Sequence, residues 1–372
     1  MNKVIALFLL LSLLLCGCGE LVPPKSTLPT ETEPLLRSLA AEPETIPETV
    51  PETQPETEPE PVYRNPLNGS VMEGPLEQRV FAVSINNLRD AVPHYGINKS
   101  DIFFESFVNG SIIRCLALFT DPSAVEVIGP VRSTRVMWAD LCMRFNAINA
   151  HAGGSNFVVN TPGRWKWDHF NVDVQDDAYY AFRDMDRFKV QKYGWEHCLF
   201  VKGPGLIDKA TESGFSVYQD PAKDFCLQFT EDGTPENGQD APDFTFTITM
   251  RNNRKDSRMV YDAQLGKYVF HQYEQQMIDG ATGEPEAFRN VVILMGEMHY
   301  DNIYEVMDFE KGGTGWFACG GKAIPITWKC DDITSPPRLF TENGQPVLLG
   351  QGNTYVAITE TGSKLVGLGT EA

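Results

Sequence analysis

Three runs decide the fold: Arg79–Asn86 (RVFAVSIN), Asp101–Val108 (DIFFESFV) and Ser111–Phe119 (SIIRCLALF), the last two separated by Asn109-Gly110. Each is rich in β-branched and aromatic residues, which suit a pleated, half-buried surface. Asn-Gly between two such runs is a strong short-range hairpin signal, because both residues tolerate positive φ. A two-residue turn at Asn109-Gly110 would place Val108 opposite Ser111 and Glu105 opposite Arg114. Such a pair is worth about 0.2–1 kcal/mol as a cross-strand contact. Glu105 and Arg114 therefore read either as a structural pair or as the lining of a polar site.

Downstream, two strand–turn–helix units are expected. Val125–Ile128 is a short apolar run broken by Gly129-Pro130, after which Arg132-Ser133-Thr134-Arg135 opens a helical pattern through Arg144. Ala147–Ala150 is the second run, followed by His151-Ala152-Gly153-Gly154-Ser155 and a further possible helix. Ser155 suits an N-cap, and the glycines let backbone N–H groups turn toward a ligand. If the two runs are parallel neighbours, both polar turns fall at one sheet end, where α/β folds bind ligands. Arg132, Ser133, Arg135 and the Gly153-Gly154-Ser155 backbone would then converge on an anion. Asn86, Glu105, Arg114 and His151 complete the candidate set.

Working outward, Pro204–Ser213 reads as a short helix ending at Gly214. Trp165, Trp167 and His169 form an aromatic-rich stretch around Asp168, either a ligand platform or an anchored loop. After Ala241 the chain is β-rich. Phe244–Met250 alternates, and short strands follow at Met259–Tyr261, Lys267–Phe270, Val291–Leu294, Gly315–Ala318, Ile324–Trp328, Leu339–Thr341 and Thr354–Thr359. An antiparallel sheet or small barrel packed on the first part is expected. The fold class is thus a mixed α/β (α+β) domain over 63–225 and a β-rich domain over 241–360.

The N-terminus carries a different message. Lys3 and the apolar run Val4–Leu15 form an export signal, too short to span a bilayer. The run ends in Leu15-Cys16-Gly17-Cys18, which resembles a bacterial lipobox; the resemblance implies a signal peptide over 1–17 and lipidation of Cys18. Gly19–Pro61 holds ten prolines and repeated Pro-Glu-Thr units. Its glutamates repel one another and its apolar residues are too sparse to offset ordering entropy, so 18–62 is expected to be a disordered stalk. That stalk carries a net −8 of the chain's −19 and Lys3 contributes +1, which leaves −12 on Val62–Ala372. An acidic body disfavours nucleic acid as a partner.

Several motifs add up to a specific likeness. Asn65-Pro66-Leu67-Asn68-Gly69, Ile128-Gly129-Pro130-Val131-Arg132-Ser133-Thr134-Arg135, His151-Ala152-Gly153-Gly154-Ser155 and Ile326-Thr327-Trp328-Lys329 occur in order. With the strand Arg79–Ile85, Glu105 and Arg114, they resemble the YerB-like bacterial lipoprotein family, over most of Asn65–Thr359. The resemblance implies a two-part lipoprotein ectodomain of unknown function and supplies no accepted catalytic residues.

Other chemistry finds little support. Removing Cys16 and modifying Cys18 leaves six cysteines with no Cys-x-x-Cys spacing, read here as mostly buried free thiols without a structural zinc. No His-Glu-x-x-His, Walker or Gly-x-Ser-x-Gly motif occurs. No metal or cofactor is implied. The leading expectation is a lipid-anchored extracytoplasmic protein on the bacterial cell membrane that binds an anionic envelope component or small molecule. One alternative is a hydrolase or transferase acting on an envelope polymer or phosphodiester, with His151 as general acid/base. The other is a protein-interaction lipoprotein with an exposed apolar patch.

Overall fold

The protein is described by a computed structural model that covers residues 62–159, 166–301 and 304–368. The expected signal peptide, the lipidated Cys18, the stalk and Trp165 lie outside the described residues.

In chain order, the first strands are β1 (Phe81–Asn86), β2 (Ile102–Asn109) and β3 (Ile112–Phe119). Helix α1 (Val136–Arg144), strand β4 (Ile148–His151), the single turn α2 (Asn156–Val159) and strand β5 (Asp168–Asn171) follow. Helix α3 (Gly203–Glu212) ends before Gly214, as its sequence predicts to within a residue. The β-rich part begins with β6 (Asp243–Met250), β7 (Asn253–Asp262) and β8 (Lys267–Gln272). It continues with β9 (Asn290–Gly296), β10 (Gly313–Cys319), β11 (Lys322–Lys329), β12 (Arg338–Thr341) and β13 (Thr354–Glu360).

The mixed α/β beginning and β-rich end expected from sequence are both present. They join in a way that the sequence did not predict. The β-rich strands divide: β6, β7 and β8 build a separate antiparallel sheet, as expected, while β9, β10, β11 and β13 join the strands of the first segment. Strand β13 pairs in parallel with both β9 and β2, so one eleven-stranded sheet runs through strands of both segments. A second, six-stranded sheet built around β6, β7 and β8 packs on one face. Phe246, Phe270 and Phe288 from its side meet Tyr355 of the central sheet, and Phe288 stacks on Phe103. Helix α1 lies on the opposite face, where Phe145 at its C-cap meets Phe104 edge-on.

The hairpin register also differs from expectation. The turn residues are Gly110 and Ser111, so Asn109 pairs with Ile112, and a bulge between Phe107 and Asn109 takes back one residue. Glu105 consequently faces Cys115, while Arg114 faces Ser106. A one-residue slip sends a side chain to the other face of a sheet. Glu105 and Arg114 therefore point in opposite directions and are not a cross-strand pair.

Several motifs of the sequence are scaffolding. Asp101 accepts hydrogen bonds from Asn65 Nδ2, Asn68 Nδ2, the Thr120 backbone and the Thr120 hydroxyl, which pins the Asn65–Gly69 turn to β2. Gly69 has φ +74, and a Cβ there would collide with the Phe229 side chain at 2.6 Å. Trp328 is buried in β11 and donates its indole N–H to the Thr314 carbonyl at 2.9 Å. Cys115, Cys142, Cys198, Cys226, Cys319 and Cys330 are buried free thiols.

Candidate anion site at the sheet edge

Strands β1, β4 and β5 run parallel, so Asn86, His151 and Asn171 end at one edge of the sheet. Strand β3 runs antiparallel to β1 and brings Arg114 opposite Asn86 at that same edge. The run Val125–Ile128, expected as a sheet strand, is not one: Ile128 instead makes an isolated bridge to Val201. The neighbours of β4 are β1 and β5. Even so, the two polar turns meet, because their backbones bond directly. The amide of Arg132 donates to the Ser84 carbonyl at 2.8 Å and that of Asn86 to the Pro130 carbonyl at 2.9 Å. The Ala152 amide donates to the Arg132 carbonyl and the Thr134 amide to the Gly153 carbonyl, each at 3.1 Å.

Glycine is required where the loops touch. Gly153 adopts φ +75, and a Cβ on Gly154 would approach Val159 to 2.7 Å and the Thr134 methyl to 3.3 Å. Ser155 occupies the expected position ahead of α2, and its carbonyl accepts from the Val158 and Val159 amides. Its hydroxyl makes no cap: Ser155 Oγ is buried without a partner.

The electrostatics of this edge are unusual. Arg114 is only 3% exposed. Its Nη1 donates to Asn86 Oδ1 at 3.0 Å and to its neighbour Ile113's carbonyl at 3.2 Å. Burial, reinforced by the nearby Arg132 and Arg135 charges, pushes the Arg114 guanidinium down to about 9. Arg135 is likewise lowered by burial, with Tyr304 opposing and Arg132 adding to the shift. Its Nη1 reaches the Thr134 carbonyl at 2.8 Å, and its guanidinium lies 6.0 Å from the centre of the Tyr304 ring. Among the described residues, none of these three arginines forms an ion pair with a carboxylate. The Nε atoms of Arg114, Arg132 and Arg135, with Thr134 Oγ1, are also buried and unpartnered. A buried polar group without a partner costs about 1–3 kcal/mol, more when charged. Three mutually repelling cations with orphaned donors at one place form an arrangement that an anion would complete.

Histidines and aromatics flank the cluster. The carbonyl of Gly153 can only accept, so His151 Nδ1, 2.8 Å away, carries the proton. His151 Nε2 then accepts from His169 Nδ1 at 2.9 Å. Burial and the adjacent His169, against the Gly153 bond, push His151 down to about 4. The ring is therefore neutral near pH 7, with both nitrogens engaged. Trp167 stacks on His169 at 4.3 Å and lies over His151 at 6.2 Å. Asp168 and His169, read from sequence as part of a loop-like stretch, instead begin β5.

Sequence reasoning missed His197. Asn86 Oδ1 is used by Arg114, so its Nδ2 donates to His197 Nδ1 at 2.7 Å. His197 Nε2 lies 3.9 Å from Glu196 Oε1. Nothing in the local sequence marks this residue; it arrives from a short turn more than a hundred positions away.

Glu105 does not belong to this edge. It is fully buried on the face toward the second sheet, where Lys255 Nζ lies 2.6 Å from Oε1. Asn87 Nδ2 donates to the same oxygen at 2.5 Å, and the Tyr355 hydroxyl donates to Oε2. Lys255 also donates to Ser257 Oγ at 2.7 Å. This is a fully partnered charge, and it clamps the two sheets together. Among the described residues, no group of three or more His, Cys, Asp or Glu side chains is placed to hold a metal ion.

Comparison with known proteins places the chain. The protein matches 26% of residues over 270 positions, 71% of its length, with the "Putative lipoprotein YerB" of Bacillus subtilis (strain 168), covering 77% of that protein. The crystal structure of YerB from Bacillus subtilis has the same fold, with a TM-score of 0.68 and 23% identity, covering 82% of this chain and 99% of that one. Residues 67–216 match the N-terminal domain, and residues 246–356 the C-terminal domain, of a protein family of unknown function, DUF3048. The chain belongs to the DUF3048 family.

Proposed function

We propose that this protein is a lipid-anchored extracytoplasmic binding protein whose arginine edge takes an anionic envelope component or small molecule. The lipobox-like Leu15–Cys18 and a relative named as a lipoprotein support the anchor, through Cys18, on the outer side of the cell membrane. The observation that carries the binding reading is the absence of a carboxylate partner for Arg114, Arg132 and Arg135 among the described residues, together with their orphaned Nε atoms. Asn86 orients Arg114, Ser133 and the Gly153-Gly154-Ser155 loop close the rim, and His151 braces that loop from beneath. Binding is favoured over turnover, because the candidate general acid/base His151 has both ring nitrogens engaged.

Calorimetric titration of the body 60–372, a compact unit of its own, against a panel of anions tests the reading. At least one anion should bind, and the Arg132→Ala/Arg135→Ala protein should lose it while remaining folded. An unchanged ligand profile in the double variant would refute it. Retention of the full chain in the membrane fraction, and its loss in Cys18→Ser, checks the anchor.

A further inference from the structure

We propose that the ligand group recognised at this edge is a phosphate ester, its oxygens shared among Arg114, Arg132, Arg135, Thr134 and Ser155. The inference rests on the anion-binding reading and narrows it to one chemical class.

Charge is the first argument. Three guanidiniums meet without an ion pair to any carboxylate among the described residues; Glu196, which feels the Arg132 charge, stays beyond ion-pair distance. A single carboxylate would leave two cations facing each other, whereas a phosphate monoester carries close to two negative charges near neutral pH. A diester polymer reaches the same balance by presenting successive phosphates.

Donor geometry is the second argument. The unpartnered donors are three guanidinium Nε–H groups and the hydroxyls of Thr134 and Ser155. Thr134 is fully buried and Arg114 nearly so, which makes their orphaned atoms costly unless a ligand satisfies them. These donors come from three separate segments: β3, the 132–135 turn and the 153–155 turn. A planar carboxylate offers its acceptors in one plane. A tetrahedral phosphoryl group offers them in several directions, and Arg forks match it bidentately.

The backbone adds a third argument. Helix α1 is nine residues long and begins directly after Arg135. Its first amides lack intrahelical acceptors and favour an anion. Gly154 lacks the Cβ that would crowd Val159 and Thr134, and Gly153 supplies the positive φ of the turn. The Trp167–His169 stack beside His151 supplies an apolar wall for whatever the phosphate is attached to.

The test is calorimetric titration of the purified full chain at matched ionic strength with four probes. These are inorganic phosphate, glycerol 3-phosphate, poly(glycerol phosphate), and the tricarboxylate tricarballylate as a charge control. At least one of the two esters should bind about tenfold or more tightly than tricarballylate. Preference for glycerol 3-phosphate would identify a small ester, and preference for the polymer an envelope chain. Thr134→Val should weaken the ester about tenfold and leave tricarballylate unchanged, while Thr134→Ser retains binding. If Thr134→Val does not fold, Ser155→Ala carries the same comparison on a half-buried loop residue. Tricarballylate binding as tightly as the esters, or inorganic phosphate binding with both esters excluded, would overturn the phosphate-ester assignment and leave the anion site standing. Failure of all four probes, with Arg132→Ala changing nothing, would count against both.

Discussion

The two faces of the central sheet treat buried charge in opposite ways. On the face toward the second sheet, Glu105 is surrounded by Lys255, Asn87 and Tyr355, and every partner comes from the protein itself. On the other face, one residue further along the hairpin, Arg114 has a single neutral side-chain partner and two cationic neighbours. The first arrangement is complete and holds the fold together. In the proposed reading the second is incomplete and should destabilise the unliganded protein. Buried charge alone therefore does not mark a site; buried charge without its counterion does.

The largest expected effect lies on the complete side. Glu105→Ala leaves Lys255 buried and unpaired, and should cost about 3–5 kcal/mol in urea unfolding. The paired replacement Glu105→Leu/Lys255→Met should cost far less than the sum of its two single changes, because it removes both charges at once. Additive losses would mean that the pair is not coupled, and the contrast between the faces would fail.

A pH effect of intermediate size belongs to the incomplete side. His151 is depressed to about 4, mainly by burial, against its ordinary value of 6.5. The unfolded chain therefore binds the extra proton first as pH falls, and stability drops between about 6.5 and about 4. His151→Gln should flatten that slope, by roughly 2–3 kcal/mol across the interval. His169, also lowered by burial, leaves a residual slope of the same sign. A slope unchanged in the variant would show that His151 does not brace the loop in its neutral form.

The smallest effect carries an unusual sign. Arg114→Met removes one of three repelling cations, so in anion-free buffer it should be neutral or stabilising by up to about 1 kcal/mol. A loss above about 2 kcal/mol would identify Arg114 as an ordinary structural residue bonding Asn86.

Much of this was legible in the sequence. The β-branched and aromatic runs at Arg79–Asn86 and in the two hairpin arms, the helix opening after Arg135, and the strand at Phe244–Met250 all lie within a few residues of expectation. The cluster of Arg132, Arg135, His151 and the glycine turn was also legible, because polar turns after apolar runs have a local signature. What the sequence hid was long-range pairing. The bulge at Val108 and the shift of the turn to Gly110-Ser111 carry no strong sequence signal, yet they decide which face Glu105 occupies. Parallel pairing of β13 with β2 joins residues some 250 positions apart. His197 enters the site by the same kind of distant contact.

The central claim is that the arginine edge is a ligand site left incomplete by the protein alone. Urea unfolding of the full chain and of Arg132→Ala, each with and without glycerol 3-phosphate, tests it most directly. A ligand that binds only the folded state must stabilise it. The account predicts that the anion raises the midpoint of the unaltered chain, while Arg132→Ala is at least as stable without anion and gains nothing from it. An Arg132→Ala protein that is markedly less stable, yet responds to the anion as fully as the unaltered chain, would contradict it.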